Sequence, residues 1–216
     1  MKIYCFYEKL NDIYIDDLVL DHERVLEVWK KSWSYYGWEP IVLTRKDIPK
    51  NEDYEILSKT IKKLPTTNSF RYEEICYLRW LAMLGKKGWF CDYDMINYGF
   101  TPCSYGNKIV SVTKSGNLGA SVVYGPESFY KKIVETIKNF DFENFKSLPS
   151  AQYLKPFNHI SDMVILNALF KADIELRIMR ESPMDFNLIL KHYNYDNCKE
   201  GKYKAILKDP RAKVFL

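Results

Sequence analysis

A chain of 216 residues with 47% hydrophobic and 28% charged residues has the composition of a folded globular protein and room for one sizeable core. Its net charge of +4 is too small to argue for nucleic acid, and it suits an anionic small ligand such as a nucleotide. Five cysteines, an odd count with no CxxC spacing, speak against a disulfide framework or a zinc site and for a reducing compartment. The opening stretch, MKIYCFYEKLNDIYIDD, places acids too early for a signal peptide. No apolar run approaches the roughly 20 residues that span a bilayer. The expectation is a soluble, cytoplasmic protein, residues 1–216 forming a single domain.

Aromatic and β-forming residues make Lys2 to Tyr7 a first strand. In LDHERVLEVWKKSWSYYGW, Val25, Val28, Trp29 and Trp33 recur at helical spacing, and Gly37 supplies a stop. Pro40 to Thr44 is a short apolar strand, which completes a strand, helix, strand opening of the parallel-sheet kind. NEDYEILSKTIKKL reads as a helix ended by Pro65, and Tyr72 to Leu84 as a strongly apolar one. Gly85 and Gly88 punctuate the chain before GWFCDYDMI returns as a strand. KIVSVT and GASVVYG are two further strands, PESFYKKIVETIKNF a helix opened by proline, SDMVILNALFKA another helix and DIELRIM a late strand. The closing stretch from His192 reads as irregular and basic. The pattern predicts an α/β fold, a mixed, mainly parallel sheet flanked by helices, whose ligands lie beyond the carboxyl ends of the strands.

Asp92 and Asp94 stand at that end of GWFC. Strand alternation would put both on one side, with Tyr93 pointing away. Like charges side by side repel, and burial adds to the cost. A divalent cation resolves both, and two carboxylates are hard ligands for Mn²⁺ or Mg²⁺. A surface turn that merely carries two acids is the plain alternative.

The stretch CYLRWLAMLGKKGWFCDYDMI resembles the DxD-containing glycosyltransferases of the GT-A (Rossmann-like) fold. Arg79 matches their helix arginine, Gly88 the second turn glycine, Phe90 the aromatic position, and Asp92 and Asp94 the DxD; Lys87 departs, standing where many members have glycine. The resemblance implies transfer of a sugar from a nucleotide sugar, with a UDP-sugar favoured, to a glycan, protein-glycan or lipid acceptor. Asp94 would bind the metal directly, and Asp92 would touch the ribose or sugar or reach the metal through water. Arg79 would contact the donor or orient the aspartates, against an ordinary salt bridge to Glu73 or Glu74. His192, after an apolar strand near the C-terminus, would be a third metal ligand.

Phe6 or Tyr7 would stack on the nucleobase, against the plain reading of a core aromatic, and Thr44 and Arg45 would approach the base or phosphates. Tyr93 falls among the donor contacts. Gly119, Ala120 and Ser121 are small enough to admit the donor sugar, and Lys202, with Lys204, Lys208 and Arg211, would close over the diphosphate. Asp162 fits the first turn of a helix, where exposed amides favour a carboxylate. In an inverting enzyme it would instead be the base for the acceptor hydroxyl, with His159 as its competitor. His22 reads as surface. The rival readings are a binding-only nucleotide or sugar domain and a sugar nucleotidyltransferase. Against the latter, FYEKLNDIY lacks the glycines of a phosphate-binding loop.

Overall fold

The computed structural model describes residues 1–10, 16–112, 121–173, 177–179, 189–194 and 198–216. Strands β1 (Lys2–Phe6) and β2 (Glu39–Leu43) are joined by helix α1 (Asp16–Tyr35) and pair in parallel, Ile3 opposite Pro40 and Phe6 opposite Leu43. Helices α2 (Glu52–Ile61) and α3 (Phe70–Ala82) then carry the chain across, so that β3 (Gly88–Cys91) pairs in parallel with the other edge of β1. The chain therefore winds outward from β1 in both directions, which leaves a crevice beyond the carboxyl ends of β1 and β3.

Three strands complete the main sheet: β5 (Val110–Val112), β6 (Val122–Gly125) and β7 (Arg177–Met179). The order is β2-β1-β3-β6-β5-β7, with β6 antiparallel to both neighbours and the other pairs parallel. The mixed, mainly parallel sheet flanked by helices is the architecture the pattern predicts. A separate ribbon pairs β4 (Met95–Asn97) antiparallel with β8 (Leu190–His192). Helices α4 (Glu127–Lys138), α5 (Phe142–Ser147), α6 (Asp162–Asp173) and α7 (Lys202–Leu207) complete the described elements.

The period-2 alternation of the strands sorts the core into two layers. Tyr4, Phe6, Phe90 and Val123 pack with residues of α2, α3, α4 and α6. Ile3, Cys5, Trp89, Cys91, Val122 and Tyr124 pack with α1, α7 and the ribbon. Four of the five tryptophans lie in this second layer, and their N–H groups fasten segments together. Trp29 reaches Cys91 Sγ at 3.3 Å, Trp33 the Met95 carbonyl at 2.9 Å, Trp38 the Phe100 carbonyl at 2.7 Å, and Trp89 the Cys103 carbonyl at 2.8 Å. A buried indole whose N–H is satisfied adds orientation to its apolar burial. Among the described residues no helix is long and apolar enough to cross a membrane.

Two expectations need correction. GWFCDYDMI is not one strand: Met95 N–H closes onto the Asp92 carbonyl at 3.0 Å, so residues 92–94 form a turn between β3 and β4. The C-terminal stretch is not wholly irregular, for it contains α7 and a 3-10 turn at Pro210–Val214. Only Lys202 and Ile206 of α7 are buried, too short an apolar repeat to announce a helix.

Candidate active site at the carboxyl edge of the sheet

Helix α3 begins with Ser69, whose side chain accepts from the Tyr72 N–H. It presents Tyr72, Glu73, Ile75, Cys76 and Arg79 to a cleft of about 730 Å³. Gly88, at φ +119°, admits the turn into β3 that a side chain would strain. At the far end of β3 the chain turns at Asp92, Tyr93 and Asp94, which also line the cleft. The ribbon register puts His192 opposite Met95, and the Tyr193 N–H bonds the Asp94 carbonyl at 3.0 Å. An imidazole is thereby delivered beside the acids from the other end of the chain.

Asp92, Asp94 and His192 each offer a ligand atom within 4.8 Å of the others. His192 Nε2 lies 3.0 Å from Asp94 Oδ1 and 3.7 Å from Asp92 Oδ2. The remaining carboxylate oxygens are taken by cations: Arg79 Nη1 is 2.7 Å from Asp92 Oδ1, and Lys202 Nζ is 2.6 Å from Asp94 Oδ2. Each acid thus spends one oxygen on a side-chain cation and turns the other toward the imidazole. Two hard oxygens and one imidazole facing a common point form a donor set suited to Mn²⁺ or Mg²⁺.

The charges explain how the pair of aspartates is tolerated. Burial, and then the neighbouring Asp94 charge, keep the Asp92 carboxyl above its ordinary value despite Arg79. Burial would raise Asp94 as well, but the Lys202 ammonium and the His192 hydrogen bond overcome it and hold it well below the carboxylate range. Burial would lower His192, yet its bond to Asp94 and the two carboxylate charges leave its pKa raised. A metal bound there would displace a proton from the imidazole.

Arg79 spans the site. Besides Asp92 it donates from Nε and Nη2 to Asp162 Oδ2, at 3.0 and 2.5 Å, and its guanidinium lies over the Trp80 ring. Burial disfavours its charge, but Asp162 and Asp92 more than restore it. The carboxylates that Arg79 pairs with are Asp92 and Asp162, not Glu73 or Glu74. Asp162 is 2% exposed; it also accepts from Trp80 Nε1 at 2.8 Å and from the Met163 N–H at 2.8 Å.

The other candidates divide. Phe6, Ser121, Tyr93, His159 and Lys202 line the cleft. Tyr7 packs edge-on against Tyr93 with ring centroids 5.2 Å apart. Tyr93 does not point away: its hydroxyl meets His22 Nδ1 and lies 3.2 Å from Lys202 Nζ, because the turn at 92–94 ends the alternation. Thr44 caps the 3-10 turn Arg45–Asp47 through Lys46 N–H and Asp47, outside the cleft lining, and Arg45 pairs with Glu74 at 2.6 Å. Lys204 and Lys208 pair with Glu200, and Arg211 with Asp209, so of the C-terminal cations Lys202 alone lines the cleft. Ala120 and Gly119 lie outside the described residues.

Sequence reasoning misplaced His22 and passed over Tyr72, Glu73 and Cys76. His22 is 5% exposed and lines the cleft, and burial, then Lys202, push its pKa down to about 4. Its spacing to Val25, Leu26 and Trp29 is the signal that would have placed it inside. Burial pushes the Cys76 thiol well up, which disfavours its thiolate.

No protein-family profile matches the chain, and no curated protein matches it. Among solved structures, the chain is similar to the galactosyltransferase LgtC, solved in complex with donor and acceptor sugar analogues. Identity is 11%, coverage is 99% of this chain and 96% of that one, and the TM-score is 0.49. So slight a likeness decides nothing about chemistry.

Proposed function

We propose that this chain is a metal-dependent glycosyltransferase of the GT-A kind, moving a sugar from a nucleotide sugar, a UDP-sugar first among them, to a glycan or glycoconjugate acceptor. The observation that carries the reading is the convergence of Asp92, Asp94 and His192, backed by Arg79 and Lys202, on the crevice beyond β1 and β3. Asp92, Asp94 and His192 would hold Mn²⁺ or Mg²⁺, which supplies positive charge against a departing diphosphate.

The chain's own groups do the rest. Phe6 and Tyr7, at the end of β1, flank the base. The Ser121 carbonyl accepts from the Asp92 N–H at 3.0 Å and steadies the turn that presents both acids. Lys202 turns its ammonium from Asp94 to the diphosphate when the donor binds. Asp162 is sealed in by Arg79 and Trp80, which suits an anchor for the guanidinium better than a base for the acceptor. His159 lines the cleft, but its Nδ1 already accepts from the Thr67 N–H, which suits it to positioning Glu73 rather than to taking a proton.

Titration calorimetry with UDP, with and without Mn²⁺, tests the reading on the wild type and on Asp94→Asn. Binding that requires both the metal and Asp94 supports it. Failure of the wild type to bind UDP, GDP or another nucleoside diphosphate in the presence of metal overturns it. Binding without any donor hydrolysis or transfer leaves a nucleotide-binding domain without turnover.

A further inference from the structure

Glu73, on the first turn of α3, is 3% exposed and lines the same cleft. Its Oε1 accepts from Asn68 Nδ2 at 2.6 Å. Its Oε2 is buried and has no hydrogen-bond partner among the described residues. A buried carboxylate oxygen left without a donor is costly to keep, and because Glu73 lines the cleft a donor entering there can supply what the fold does not.

The surroundings say what kind of donor. His159 Nδ1 lies 3.4 Å from both the Thr67 N–H and Thr66 Oγ1, so it accepts, and the ring proton sits on Nε2. That N–H faces Glu73 Oε1 at 3.6 Å. The Arg79 guanidinium on the same helix would repel an incoming cation; a hydroxyl carries no such penalty. Tyr72, 41% exposed on the lip of the cleft, offers an aromatic face to the C–H surface of a sugar ring. Glu73 stands six residues before Arg79 on α3, about 9 Å along the helix axis, a separation that a bound sugar can occupy beside the Asp92 end.

We propose that the Glu73 end of the cleft is a sugar-hydroxyl subsite, the place of the acceptor, in which Glu73 Oε2 takes a hydrogen bond from a neutral sugar and Tyr72 faces its ring. The word acceptor rests on the transferase reading; sugar binding at Glu73 does not. His159 becomes a positioning residue for Glu73, its Nδ1 lone pair already engaged.

Saturation-transfer NMR on the full chain tests this with methyl β-D-galactoside, methyl β-D-glucoside, methyl α-D-mannoside and lactose as probes. The wild type should transfer saturation to at least one probe, and Glu73→Gln should lose it at least fivefold. Lys208→Ala, outside the cleft lining, should keep it. If Glu73→Gln does not fold, Tyr72→Ala, at an exposed position, should show the loss in the ring C–H protons. No transfer to any probe in the wild type, or equal transfer in the variants, overturns the proposal. Loss of UDP binding with sugar transfer intact would sink the transferase reading alone.

Discussion

Lys202 and Asp94, 108 positions apart in the chain, meet at 2.6 Å with both side chains only 6% exposed. The ammonium also lies over the Tyr93 ring, 5.1 Å from its centre. Lys202→Met leaves the Asp94 carboxylate buried with His192 alone. Removing one partner of such a pair costs about 3–5 kcal/mol, to be read as a shift in the urea midpoint. The variant should also gain more in melting temperature from Mn²⁺ than the wild type, because Asp94 Oδ2 is released to the metal. An equal gain would show that ammonium and metal do not share Asp94.

Arg79 joins two acids that its shorter cousin cannot. A lysine carries one point of charge where the guanidinium fork reaches both Asp92 and Asp162. Arg79→Lys should therefore lose about 2–3 kcal/mol, and Arg79→Ala about 3–5, since Asp162 remains buried without it. Chemical denaturation checks the ranking. An Arg79→Lys protein as stable as the wild type would mean that a single contact suffices.

Asp209 gathers Arg211, Lys191 and the Tyr193 hydroxyl, at 2.7, 2.9 and 2.9 Å from its Oδ2. The Arg211 hydrogen bond, first among the causes, holds its carboxyl well below the usual range. A depressed carboxylate pKa gives stability that is full above the unfolded value near 3.9 and is lost as pH falls through the folded value. Asp209→Asn should cost about 1.5–3 kcal/mol at pH 7 and flatten the decline below pH 4. A stability profile parallel to the wild type's across pH 2–6 would count against this linkage.

Gly125 lies where β6 meets α4. A β-carbon there would come within 2.2 Å of Phe129 Cδ1, 2.7 Å of its Cγ and 2.9 Å of its Cβ. The last two atoms are close to the backbone of α4 and cannot swing away. Gly125→Ala should cost about 1–3 kcal/mol by overpacking, measured by thermal or urea unfolding. No change in stability would show that α4 shifts freely on the sheet.

The frame of this fold is legible because its signals are local. The alternation of Ile3 and Cys5 against Tyr4 and Phe6, and the helical recurrence of Val25, Val28, Trp29 and Trp33, need no knowledge of the rest of the chain. Asp92 and Asp94 were legible as a pair because acids after an apolar strand are costly without a partner. What sequence hid is set at a distance. The turn at 92–94 forms because β8 must pair with residues 95–97 in a separate ribbon. Lys202 reads as one lysine among many until Asp94 is placed beside it, and the missing partner of Glu73 is visible only once the cleft has walls.

The remoteness of the partners of residues 92–94 has a consequence for biosynthesis. At about 5–20 residues per second, the ribosome takes roughly 5–20 s to travel the 108 residues from Asp94 to Lys202. For most of that interval the nascent sheet carries its two acids without the imidazole, and for all of it without the lysine. They stay in water until both partners have been made. The grouping of Asp92, Asp94 and His192 exists only once residue 192 has been made.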